Sequence, residues 1–185
     1  MRRHRWPLPL AFVAASACVV EYDPSLPAGL DDVPTISGDD VLVYERDLIW
    51  WEFPSAQAAR LYLRDDGSYL MLRSDWRHRE VYGWATAGST PEGASALETA
   101  LANADPGSTG PAPGEFSCTY RESAVATIHL DDEMFAYPSL CPPNGLQELA
   151  GYYADAVELM LDCPADGSWF EGDPPVSGTD CAIAD

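Results

Sequence analysis

Residues 59–73, ARLYLRDDGSYLMLR, restrict the fold of this chain more than any other stretch. Leu61 and Leu63 alternate with Arg60, Tyr62 and Arg64, and Leu70 and Leu72 alternate with Tyr69, Met71 and Arg73. Asp65-Asp66-Gly67-Ser68 between them is a turn signal, so a β-hairpin with its leucines on one face is predicted. The segment before it, DVLVYERDLIWWEF, is rich in β-branched and aromatic residues and reads as a strand. EVYGWAT after it reads as another, and AVATIHLDDEMFAY as a second hairpin.

Two helices complete the pattern. SALETALANA sets Leu97, Leu101 and Ala104 on one face, with Ser95/Glu98 at capping-box spacing and Ser89/Glu92 offering an earlier start. NGLQELAGYYADAVELMLD is the stronger helix. Leu146, Leu149, Tyr153, Val157 and Met160 line one side, and Gln147, Glu148, Asp155, Glu158 and Asp162 the other. The fold class expected is α+β: a small antiparallel sheet built from hairpins, with two helices packed on it. The Pro/Gly loop DPGSTGPAPG at 105–114 splits the domain, residues 40–185, into halves of about 40–104 and 115–185. The faint likeness of RLYLRDDGSYLML to ATIHLDDEMFAYP admits a duplicated strand-strand-helix unit; two unrelated hairpins are the simpler reading.

The N-terminus reads as an address. MRRHRW is a short basic start, PLPLAFVAASA an apolar run of export-signal length, and no acid occurs before Glu21. That run falls short of the roughly 20 apolar residues a membrane span needs. Ala15-Ser16-Ala17-Cys18 resembles the lipobox of bacterial lipoproteins, over residues 1–18 only. The resemblance implies cleavage after a signal peptide at 1–17, lipidation of Cys18 and anchoring in the cell envelope. Val19 after the cysteine then hints at the outer membrane. Ala15 stands where that family most often has leucine, and the same residues satisfy the A-x-A rule, so a soluble periplasmic or secreted form is the alternative. Residues 18–39, with three prolines and two glycines beyond Cys18, read as a tether, although part of it near Val33–Ile36 could pack as an edge strand.

Five cysteines leave one over after pairing in an oxidising compartment, and Cys18 at the cleavage boundary is the spare one. Cys118, Cys141, Cys163 and Cys181 are then expected to staple the domain with two disulfides. Cys141 and Cys163 flank a helix about 25 Å long, too far apart to bridge each other. Cys118–Cys141 with Cys163–Cys181 is preferred to Cys118–Cys163 with Cys141–Cys181. No C-x-x-C occurs and no usable histidine adjoins a cysteine, which argues against zinc.

All ten basic residues are arginine. Without residues 1–17 there remain seven arginines against 30 acids, a net of −23. Such a field repels nucleic acid. Six of those arginines, Arg46, Arg60, Arg64, Arg73, Arg77 and Arg79, fall within 34 residues. With Tyr62, Tyr69 and Trp76, the set Arg60, Arg64 and Arg73 offers a cationic-aromatic surface for an envelope protein or glycan, with cross-strand pairing to acids as the competing role. No G-x-S-x-G elbow, P-loop, dinucleotide fingerprint or H-E-x-x-H motif is present, and no cofactor or metal is expected. His129 with Asp131 could form a base pair for a small hydrolase, although a solvated strand-face histidine is the simpler role; His78 lies in a polar connection. Asp166, Glu171, Asp173 and Asp180 supply oxygen ligands but not EF-hand spacing. The favoured expectation is an exported, membrane-anchored lipoprotein with a non-catalytic binding or envelope-assembly role. The alternatives are that hydrolase, or a disulfide-stapled protease inhibitor presenting loop 164–180.

Overall fold

The computed structural model describes residues 33–48, 57–75, 80–108, 124–139, 141–162 and 175–183. The signal peptide, Cys18 and most of the expected tether lie outside the described residues, as do Cys118 and Cys163.

The hairpin of residues 59–73 is present as β2 (Gln57–Leu63) and β3 (Tyr69–Asp75). Its turn closes through the Gly67 N–H donating to the Arg64 carbonyl at 3.0 Å, and the Arg64 N–H donating to the Ser68 carbonyl at 2.9 Å. Gly67 has φ +80°, a left-handed conformation that glycine adopts without steric cost. Five residues separate the paired Leu63 and Tyr69, so odd positions face odd positions. Leu61 therefore sits opposite Met71, and Leu70 opposite Tyr62. The expected single leucine face is thus corrected: the leucines of the two strands point to opposite sides of the sheet.

Both sides are apolar as a result. On one, Tyr44, Ala59, Leu61, Tyr69, Met71, Ala85, Ala126 and Ile128 are buried with the helices. On the other, Tyr62, Leu70, Leu72 and Val81 form a smaller cluster, and Val33, Ile36, Leu42 and Trp84 pack against it. Val33 and Ile36, at the end of the expected tether, thus belong to the packed structure. Central strands buried on both faces lose the polar/apolar alternation of a half-exposed sheet.

The remaining strands extend this hairpin in both directions. β1 (Val41–Leu48) pairs with β2, and β4 (Val81–Ser89) with β3, giving a four-stranded meander. β5 (Val125–Leu130) and β6 (Glu133–Pro138) form the second hairpin and attach to β1, while β7 (Val176–Ile183) attaches to β4. The order is β6-β5-β1-β2-β3-β4-β7, antiparallel throughout.

α2 (Gln147–Asp162), entered through a 3-10 turn at Asn144–Leu146, lies across the first face. Leu146, Leu149, Tyr153, Val157 and Met160 are each at most 2% exposed. A fully buried side chain of this kind contributes about 1.5–3 kcal/mol. Tyr153 meets Tyr44 of β1 at a centroid distance of 6.0 Å, and the Tyr152 hydroxyl meets the Tyr69 hydroxyl of β3 at 3.2 Å.

α1 (Pro91–Asn103) is held differently, at its two ends. At the N-terminus the Thr90 hydroxyl caps the Gly93 N–H at 2.8 Å, and Gly93 lies against the Pro175 backbone so closely that a Cβ would not fit. At the other end the Asn103 side-chain amide donates to Glu148 at 2.9 Å, and the Asp105 N–H to the Gly145 carbonyl at 2.9 Å. Between these ends only Ala100 is buried, and Leu101 is 40% exposed. The predicted Leu97/Leu101/Ala104 face is therefore only partly used.

Two further expectations need correction. Among the described residues the sheet is one seven-stranded unit rather than a small sheet assembled from duplicated ββα halves; the first half gives a continuous meander, and the second half attaches at opposite edges. Nor does a two-disulfide staple define the fold. Cys141 and Cys181 are disulfide-bonded sulfurs, yet no complete bridge lies among the described residues, and strand pairing with helix packing accounts for the architecture.

Candidate functional site

The cationic-aromatic set does not assemble. Tyr69 is fully buried on the helix side, whereas Tyr62 is buried in the cluster on the other face. Each arginine is engaged within the fold. Arg60 Nε lies 3.2 Å from Glu45 Oε2, and Arg64 Nε 3.6 Å from Asp40 Oδ1. Arg73 Nη2 donates to Gln57 Oε1 at 3.1 Å, while its buried Nε has no partner and burial pulls its pKa down. Arg46, on the helix side, donates to Glu158 Oε1 at 2.9 Å. Burial pushes the Asp40 carboxyl up, but the Ser37 amide and side chain and the Arg64 charge outweigh it and hold Asp40 below its ordinary value. Arg60 performs the competing role of cross-strand pairing with an acid, Arg46 and Arg64 pair with acids outside the sheet, and Arg73 meets a neutral amide. Trp76, Arg77, His78 and Arg79 lie outside the described residues.

His129 and Asp131 are not brought together as a base pair. Asp131 occupies the β5–β6 turn with φ +48°. The partner of His129 is Glu45, on the neighbouring strand, with His129 Nε2 3.2 Å from Glu45 Oε1. Glu45 is thus shared between His129 and Arg60, a carboxylate bridging two basic groups across β5, β1 and β2. A hydrolytic triad also needs a nucleophile bonded to the histidine. Among the described residues, no serine, threonine or cysteine hydrogen-bonds the His129 ring. Asp47, beside this network, is raised in pKa chiefly by burial and further by the Glu45 charge, against a hydrogen bond from the Val125 amide.

The inhibitor loop also changes shape: residues 176–180 belong to β7, paired to β4, so 164–180 is not one free loop. Asp180 lies on that strand, and Asp166, Glu171 and Asp173 fall outside the described residues.

What the fold does build is a groove between α1 and α2. α1 and α2 line an open trough of about 920 Å³ on their outer side, beyond the Ala100 contact with the core. Ala96, Ala100, Gly151 and Tyr152 contribute small or flat surface, and Glu92, Glu148 and Asp155 supply negative charge. Ser95, Thr99 and Gln147 add neutral polar groups; among the described residues, no basic side chain lines it. Burial, and then the Glu158 charge, raises the Asp155 carboxyl above its ordinary value. Nothing fills the space where a Cβ on Gly151 would stand. Sequence reasoning placed Glu148 and Asp155 on the polar side of α2 without singling them out. The available signal was the spacing Glu148, Gly151, Tyr152, Asp155, which at i, i+3, i+4 and i+7 shares one helical face.

Among the described residues, no helix is long and apolar enough to cross a membrane. No protein-family model, curated protein or solved structure matches this chain.

Proposed function

We propose that this chain is an exported, lipid-anchored envelope protein whose domain acts by binding or assembly rather than by catalysis. The anchor rests on the basic and apolar run before Ala15-Ser16-Ala17-Cys18. One thioether-linked chain alone holds a protein only marginally, so a stable anchor needs two or more acyl chains on Cys18. The binding role rests on one observation: the described residues form an open α1/α2 groove that gathers acids and small residues. The His129–Glu45–Arg60 network, by contrast, holds its charges in mutual neutralisation.

Intact mass of the mature protein extracted from membranes tests the reading. Cleavage before Cys18 with added acyl mass is expected, and Cys18→Ser should release the chain from the membrane fraction. A wild-type mature chain that is soluble and carries no acyl mass would overturn the anchor.

A further inference from the structure

The geometry points to the α1/α2 groove as the docking site for a positively charged helical segment of a partner protein. This rests on the binding reading above and names the chemistry of the partner. Charge complementarity selects it. Glu92, Glu148 and Asp155 line the trough with no base among them. Among the described arginines, Arg46 is committed to Glu158, Arg60 to Glu45 and Arg64 to Asp40.

Shape selects a helix. The trough is open and is bounded by two helices whose lining positions include Ala96, Ala100 and Gly151. Small residues of this kind let another backbone approach closely, as in any tight helix–helix contact. Glu148 and Asp155 are seven residues apart on α2, about 10.5 Å at ~1.5 Å per residue. An incoming helix with Arg or Lys two turns apart presents its charges at the same spacing. The raised Asp155 carboxyl is consistent with a site that gains from a nearby cation. Metal capture is a poorer account, since no group of three His, Cys, Asp or Glu able to hold an ion occurs among the described residues.

The test uses the mature full-length protein in an uncharged detergent and a fluorescein-labelled helical peptide of Ala, Gln and Arg, with arginines two turns apart. Anisotropy should report saturable binding that weakens as salt rises. A peptide with Glu in place of Arg should not bind. Gly151→Leu fills the trough in open space, and Glu148→Gln with Asp155→Asn removes its charge; each should weaken binding about tenfold or more. Thermal melts should show both variants folded. Asp131→Asn with Asp132→Asn removes two acids at the β5–β6 turn and should leave binding unchanged. Equal loss with the turn variant would mean diffuse attraction to an acidic protein, and unchanged binding in folded Gly151→Leu would place the peptide elsewhere. A dimer in sedimentation that Gly151→Leu dissolves would make a second copy the occupant. Each of these three results overturns the proposal, and none alters the acyl mass on Cys18 by which the anchored reading stands or falls.

Discussion

Alanine at Gly93 and alanine at Gly151 should move stability in opposite directions, although both replace a helical glycine. Replacing glycine by alanine in a helix ordinarily stabilises by roughly 0.5–1 kcal/mol. Gly151 meets that condition, because a Cβ there has nothing within 4 Å. At Gly93 a Cβ would lie 2.8 Å from the carbonyl carbon and Cα of Pro175, and closer still to its oxygen. Ordinary contact needs about 3.5–4.0 Å between carbons, so α1 or the start of β7 must retreat by close to 1 Å. Retreat strains the Thr90 cap and its 3.4 Å backbone bond to the Pro175 carbonyl. Overpacking of this kind costs about 1–3 kcal/mol, which exceeds the propensity gain. The two variants should therefore differ by about 2 kcal/mol, or roughly 4–8 °C in Tm for a domain of this size. Urea unfolding and thermal melts followed by tryptophan fluorescence measure both. A Gly93→Ala protein as stable as Gly151→Ala would refute the claim that α1 is clamped at its N-terminus by Pro175.

Tyr69→Phe should cost about 0.5–1.5 kcal/mol by deleting the hydroxyl pair with Tyr152, whereas Tyr137→Phe should cost less, because its buried hydroxyl faces the Tyr44 hydroxyl without a well-formed hydrogen bond. Chemical denaturation of the two variants side by side separates these outcomes. Glu45→Ala removes the shared partner of Arg60 and His129, leaves the Arg60 side chain only 14% exposed without its ion pair, and should destabilise by about 1–3 kcal/mol. Glu45→Gln should recover part of that loss in the same denaturation assay. Asp47 and Asp40 should show opposite pH signatures. Asp47, raised chiefly by burial, contributes stability that is complete below its ordinary 3.8 and lost as pH climbs through its folded value. Asp47→Asn should then exceed the parent in stability near neutrality and converge with it in acid. Asp40 is lowered on balance, so its contribution is present above 3.8 and fades as pH falls through its folded value. Asp40→Asn should be the less stable protein near neutrality, with the deficit vanishing in acid; urea titrations from about pH 3 to about pH 7 read both curves.

Where local pattern and tertiary environment agree, the fold was legible. α2 is the plainest case, since the apolar stripe from Leu146 to Met160 is the stripe that is buried. Both hairpins were visible because Asp-Gly and Asp-Asp turns separate apolar runs. Which face each leucine took was not visible, since it depends on whether the turn spans an odd or even number of residues, and Tyr62, Tyr69 and Met71 behave as apolar bodies. The true start of α1 was missed because Thr90-Pro91, a hydroxyl cap followed by a proline at the first helical position, competed with two serine candidates. β7 was missed for another reason. VSGTDCAI alternates poorly, contains Gly178 at φ +61°, and forms an edge strand whose register slips opposite Ala87/Gly88. That the arginines meet acids was legible from the surplus of acids, but which acids was not, since Glu158, Glu45 and Asp40 come from segments distant in sequence. The groove stayed hidden because it arises from how α1 and α2 are juxtaposed, and no single segment encodes that.

The strand order also dictates when this protein can become itself. The β1–β4 meander closes through neighbours in sequence, but its two outer edges wait: Tyr44 of β1 for Ile128, and Gly83 of β4 for Ile183, one hundred positions further on. Contacts that distant slow folding, and until they form both meander edges offer unpaired N–H and C=O groups to any passing strand. Gly93 must likewise wait for Pro175 before α1 is clamped. A chain wired this way keeps one edge of its meander open until β7 has been made, which makes the interval between synthesis and β7 docking its most vulnerable moment.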